Sequence, residues 1–138
     1  MGRGDALIGP LDPLPAGAPF FFTSRGLRAL LMAGRVHLGD ALARRVIVGL
    51  ARPVDRPPWH MGILVGPDEV VHLTAQGVRS ETVHAFARGE RVYRLAGAQR
   101  PAAAIAVARR RVGERGTYRV LGHNCVDFVT SCVAAQHV

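Results

Sequence analysis

Two short apolar runs in the middle of the chain alternate in the manner of paired β-strands. The pattern predicts strands over residues 59–65 and 69–74, joined by a hairpin turn at Gly-Pro-Asp 66–68. Alternate residues of a strand share one face, so His60 and His72 each fall on a defined face of their strand. Two paired strands can therefore present His60 and His72 near each other.

Helical periodicity is clearest in the second half of the chain. The pattern predicts a helix over 101–112, with proline at its first position and Gly113 after its last, and another over 125–136. Weaker patterns predict a short helix over 25–33, ended by Gly34, and strands over 19–23, 45–50 and 92–95. These elements predict an α+β domain over residues 19–138, preceded by an irregular leader over 1–18 that is rich in glycine and proline.

Arginine supplies all of the basic charge. Lysine is absent, the eighteen basic residues are arginines, and the formal net charge is +8 in 138 residues. Guanidinium groups favour phosphate-bearing partners, so we expect either RNA or an anionic phospholipid surface. The charge alone does not choose between these two partners.

The same composition bears on the compartment. No apolar run approaches the roughly 20 residues that a membrane-spanning helix needs. The N-terminus has no signal-peptide pattern, so we expect a cytoplasmic protein that is at most peripheral to membranes. Cys125 and Cys132 lie seven positions apart on one predicted helix, roughly 10 Å, which is too far for a disulfide. We expect Cys132 to be a core residue in a reducing compartment.

Cys125, at the start of its predicted helix, is the candidate nucleophile. Backbone N–H groups and the helix dipole favour a thiolate there and can stabilise an oxyanion. His60 would accept the thiol proton, and His72 would orient His60 by a hydrogen bond. The alternatives are two structural histidines with a buried cysteine, or a zinc site formed by these residues with His123. Because no closely spaced Cys or His pair is present, we expect no metal.

Two segments resemble the boxes that define the H-box/NC proteins, the lecithin:retinol acyltransferase-like branch of the NlpC-type papain-like superfamily. W-H-M-G-I-L-V-G followed by V-V-H-L resembles the H-box, and twelve positions separate its histidines. N-C-V-D-F-V at 124–129 resembles the NC box, with Tyr118 seven positions before Cys125. The resemblance implies a circularly permuted papain-like fold with a small antiparallel sheet packed against the cysteine-bearing helix. It also implies Cys125 as nucleophile, His60 as base, His72 as orienter, and supporting roles for Asn124 and Tyr118.

Cellular proteins of this family are phospholipase A/acyltransferases that move acyl chains among glycerophospholipids through a cysteine thioester, and no cofactor is expected. The short length and arginine-based charge look more like the viral members, the picornaviral 2A proteins of the H-box/NC class. That likeness implies support of genome replication in the host cytoplasm, with host replication factors as partners. Two features depart from the family pattern. Val126-Asp127 replaces the family's acidic-His pair, and the interval between His72 and Cys125 is shorter than in the cellular enzymes. The alternative is a catalytically silent adaptor of the same fold that binds RNA, membrane or a host protein.

Overall fold

In the part of the chain that the structure describes, six strands form a central antiparallel sheet. The structure is a computed structural model that describes residues 14, 17–45, 59–115 and 123–137, without the side chains of 123–125. The strands run in the spatial order β1-β6-β2-β3-β4-β5, and each is antiparallel to its neighbours. The strands are β1 (Phe20–Phe21), β2 (Ala41–Arg45), β3 (Trp59–Gly66), β4 (Glu69–Thr74), β5 (Gly77–Glu81) and β6 (Val92–Ala96).

Four helices accompany the sheet in the described part of the chain: α1 (Ser24–Met32), α2 (Val83–Ala87), α3 (Pro101–Arg111) and α4 (His123–Val133). Threonine caps the first two, because the Thr23 hydroxyl accepts from the Gly26 N–H and the Thr82 hydroxyl from the Ala85 N–H. Proline occupies the first turn of α3, and three arginines in its last turn oppose the helix dipole.

Each face of the sheet has its own hydrophobic core. The odd-numbered residues of β3, such as Met61 and Ile63, pack with residues of α3 and α4, including Ala108 and Phe128. The even-numbered Leu64 packs on the other face with residues of α1, α2 and neighbouring strands, namely Leu27, Phe86, Val70 and others. Strand alternation therefore decides which side chains of β3 meet which pair of helices.

The predicted hairpin is confirmed, since β3 and β4 are joined by a turn at residues 67 and 68. The helix predicted over 101–112 ends one residue earlier, and the one predicted over 125–136 begins at His123 and ends at Val133. The strand predicted over 45–50 starts earlier than expected, because β2 spans Ala41–Arg45, and residues 46–50 of the prediction lie outside the described residues. Two alanines give the 41–45 segment little β propensity, and pairing with β3 and β6 makes it a strand.

The sheet and helices show an α+β fold, as predicted. The leader over residues 1–18 lies almost wholly outside the described residues, so its boundary stays a prediction.

Candidate active site

His60 and His72 are hydrogen-bonded to each other on the α1/α2 side of the sheet. Their atoms Nε2 of His60 and Nδ1 of His72 lie 2.6 Å apart, and the rings meet edge to face. The register pairs His72 with Gly62, so His60 is the diagonal neighbour of His72 across the two strands. Both are nearly fully buried, with 6% and 4% of their surface exposed. The prediction that the hairpin brings the two histidines together is confirmed.

A carboxylate that the sequence pattern did not predict extends this pair. Glu81, the last residue of β5, has its Oε1 atom 2.8 Å from Nε2 of His72. Val70 pairs with Glu81 and His72 pairs with Arg79, so Glu81 lies diagonally across from His72 on the same face. The sequence signal that could have indicated the start of β5 is Gly77. Its φ of +107° is one that glycine adopts easily, and it follows the turn that leads into this strand.

Phe86 of α2 covers both imidazoles. Its ring centroid lies 5.5 Å from that of His60 and 5.2 Å from that of His72. Gly62 leaves room for this arrangement, because a Cβ atom there would lie 2.7 Å from Val70 Cγ1 and 3.0 Å from Phe86 Cε1. The glycine between His60 and Leu64 therefore lets the aromatic ring lie close to the strand.

A buried arginine lies beside the pair. Arg44 of β2 is opposite His60 in the register and only 7% exposed. Its Nε donates to the carbonyl oxygen of Phe86, and its guanidinium lies 5.6 Å from the Phe86 ring centroid. The site thus combines two buried imidazoles, a carboxylate and the buried positive charge of Arg44.

These surroundings keep the imidazoles neutral. Burial, the neighbouring His72 and the charges of Arg44 and Arg88 lower the pKa of His60 from 6.5 to about 3. Burial also lowers the pKa of His72, although the hydrogen bond and the charge of Glu81 act to raise it. A neutral imidazole has one donor and one acceptor nitrogen, which is what a hydrogen bond between two histidine rings requires.

The predicted nucleophile lies in the first turn of a helix, as expected. Cys125 is the third residue of α4, and its side chain and that of Asn124 lie outside the described residues, as does the whole of Tyr118. The described core residues of α4, among them Phe128, pack on the sheet face opposite the histidines. His60 is the second residue of β3 and so lies at one end of that strand.

Cys132 behaves as the predicted core residue. It is fully buried in the cluster that α4 shares with the sheet, and burial raises the pKa of its thiol to about 11. A thiol so strongly protonated near neutral pH is a poor nucleophile. Within the described ranges, no three His, Cys, Asp or Glu residues are gathered in a way that could hold a metal ion. The His123 and Cys125 side chains of the zinc alternative lie outside those ranges.

No helix among the described residues has the length and apolar character needed to cross a bilayer.

The fold and site define a class: an α+β protein in which a β-hairpin buries two hydrogen-bonded histidines, and a cysteine in the first turn of a helix follows them in sequence. A glutamate of the next strand binds the second histidine. The sequence pattern of the family described as lecithin retinol acyltransferase matches residues 47–138, two thirds of the chain. The chain therefore belongs to the lecithin retinol acyltransferase family. The matched range contains both histidines and the Asn124-Cys125 dipeptide. No curated protein sequence matches the chain.

Proposed function

We propose that the protein is a cysteine-dependent acyltransferase or phospholipase A that acts on glycerophospholipids. Cys125 is the nucleophile, His60 the general base and His72 the residue that orients it. The observation that carries the proposal is the buried hydrogen bond between the two imidazoles, which fixes the ring of His60. Family membership supports acyl transfer as the reaction class.

In this reaction the Cys125 sulfur attacks the carbonyl carbon of a lipid ester while His60 accepts the thiol proton. The C–O bond then breaks, the departing alkoxide takes the proton from His60, and the acyl group stays on the sulfur as a thioester. Water releases it as a fatty acid, whereas an alcohol or amine of a second lipid accepts it in a transfer. Free N–H groups in the first turn of α4 would stabilise the oxyanion.

The lowered pKa of His60 determines how the thiol and the imidazole are protonated before substrate binds. Because that pKa is lowered to about 3, an imidazolium–thiolate pair formed before substrate binds is disfavoured. Proton transfer would then accompany attack on the carbonyl.

We further propose the circularly permuted papain-like arrangement, because both histidine strands precede the cysteine-bearing helix in the chain. The expected partner of such an enzyme is an anionic phospholipid surface contacted by arginines, with Asn124 and Tyr118 in supporting roles. Membership in the viral 2A class, with a replication role in the host cytoplasm, stays a prediction from sequence.

A second candidate, the catalytically silent adaptor, is favoured by one observation. The histidine pair and the core residues of α4 occupy opposite faces of the sheet. A thiol held away from the imidazole would leave the fold as a binding module, with RNA as the expected ligand of its arginines.

Phospholipid hydrolysis separates the two candidates. The wild-type protein should release fatty acid from anionic phospholipid vesicles, and Cys125→Ala and His60→Ala should both lose this activity. Cys132→Ala is the matched cysteine control and should keep it, because that thiol is buried and protonated. Hydrolysis that is equal in the wild type and Cys125→Ala would contradict the enzyme proposal. Salt-sensitive RNA binding without hydrolysis would support the adaptor.

A further inference from the structure

Glu81, His72 and His60 form a continuous hydrogen-bonded row across three adjacent strands. The row runs from Oε1 of Glu81 to Nε2 of His72 at 2.8 Å, and from Nδ1 of His72 to Nε2 of His60 at 2.6 Å. We propose that Glu81 is a positioning residue that fixes the tautomers of both imidazoles, so that His60 keeps Nδ1 unprotonated and available as the base. The catalytic part of this inference rests on the proposed function, but the tautomer assignment does not.

Which atom donates in each hydrogen bond of the row follows from the donor and acceptor capacity of each group. An ionised carboxylate only accepts hydrogen bonds, so Nε2 of His72 must carry the hydrogen that Glu81 receives. Neutral His72 then has an unprotonated Nδ1, which accepts from Nε2–H of His60. Neutral His60 therefore has its second nitrogen, Nδ1, free of a proton. A single carboxylate thus decides the protonation of four ring nitrogens.

Without the carboxylate, either imidazole could donate the hydrogen bond that joins His60 and His72. In the reverse arrangement Nδ1–H of His72 donates to Nε2 of His60, and His60 then carries its hydrogen on Nδ1. Both arrangements keep the contact between the imidazoles, so that contact alone does not select the useful tautomer. Only the forward arrangement leaves Nδ1 of His60 able to accept the proton of the Cys125 thiol.

In the proposed reaction no proton travels along the row. Nδ1 of His60 accepts the thiol proton and later returns it to the leaving alkoxide. Throughout, Nε2–H of His60 remains donated to His72, and Glu81 stays ionised, as the carboxylate does in serine protease triads. The negative charge of Glu81 also opposes the effect of Arg44 and Arg88 on the pKa of His72.

Glu81 could instead serve only to hold β5 against β4. A second glutamate with similar exposure serves as a control that separates this structural role from the positioning of the imidazoles. Glu69 lies on β4 with its side chain 36% exposed, against 32% for Glu81, and contacts Ser80 of β5 and Arg109. Glu69 therefore also links β4 to β5, but it does not touch either imidazole in the described structure.

Nitrogen-15 NMR of histidine-labelled protein reads the tautomers directly. In the wild type, His60 and His72 should each show a protonated Nε2 and an unprotonated Nδ1. Glu81→Leu should populate the reverse arrangement, with signal from protonated Nδ1 on both rings. Glu81→Gln keeps the size of the side chain and offers both a donor and an acceptor, so it should populate both directions. Glu69→Leu should leave the wild-type pattern unchanged.

The second readout is the rate at which an activated acyl ester acylates Cys125. Glu81→Leu should slow acylation by about tenfold or more relative to Glu69→Leu, as expected for loss of a charge-assisted hydrogen bond. The inference is overturned if both Glu81 variants keep the wild-type tautomers, or if Glu81→Leu acylates as fast as the control. If the wild type never acylates, the proposed function fails, while the NMR result still decides the tautomer assignment.

Discussion

Acid should destabilise this protein well above the pH at which carboxylates titrate, because His60 is buried in its neutral form. The pKa of His60 is about 3 in the folded state, against an ordinary value of 6.5. Between these two values the unfolded chain binds a proton that the folded chain excludes, so stability falls as the pH falls. The loss begins near the unfolded pKa and is complete near the folded one.

The size of the effect follows from the two pKa values. Each pKa unit corresponds to about 1.4 kcal/mol, so lowering the pH from about 7 to about 5 should remove about 2 kcal/mol through His60. The full span down to the folded pKa corresponds to about 5 kcal/mol. The lowered pKa of His72 acts in the same direction.

Urea unfolding followed by circular dichroism at the two pH values measures this loss. His60→Gln removes the titrating ring and should lose about 2 kcal/mol less than the wild type between about pH 7 and about pH 5. His84→Gln is the matched control, since His84 is an exposed histidine of α2, and should lose stability like the wild type. If His60→Gln loses as much stability as the wild type, the imidazole is not buried in its neutral form and the reasoning is refuted.

Two further predictions concern packing around the site. Gly62→Ala should destabilise the fold by about 1–3 kcal/mol in urea unfolding, because the added methyl meets Val70 and Phe86. Gly26→Ala, in helix α1 with room for a Cβ, should instead stabilise it by up to about 1 kcal/mol, and equal effects would contradict the packing. In a Cys125→Ala protein the remaining Cys132 should react with Ellman's reagent only after unfolding. Rapid reaction in the native state would contradict its burial.

The sequence predicted the half of the site that alternation encodes. His60 and His72 fall on two apolar strands joined by a Gly-Pro-Asp turn, and that local pattern determines their pairing. Glu81 escaped prediction because β5 has the sequence Gly-Val-Arg-Ser-Glu, with one large apolar residue and no clear alternation. Its contact with His72 depends on the register of β4 and β5, which sequence alone does not fix.

The sequence also does not predict that α4 packs on the sheet face opposite the histidines. Alternation assigns His60 and Leu64 to one face of β3, but it does not say which helices cover that face. The structure puts α1 and α2 there and packs α4 on the other side. Which helices cover which face depends on how the whole chain buries its apolar surface. The proposed mechanism therefore requires that the Cys125 thiol reach His60, although the core residues of α4 pack on the opposite face.

The most direct test of the proposed mechanism is intact-mass measurement after incubation with an activated acyl ester. The Cys132→Ala protein should gain the mass of one acyl group, and peptide mapping should locate it on Cys125 as a thioester that hydroxylamine cleaves. Cys125→Ala should gain none, and His60→Gln should gain it far more slowly. A Cys125→Ala protein that acylates as fully as the wild type would contradict the central claim.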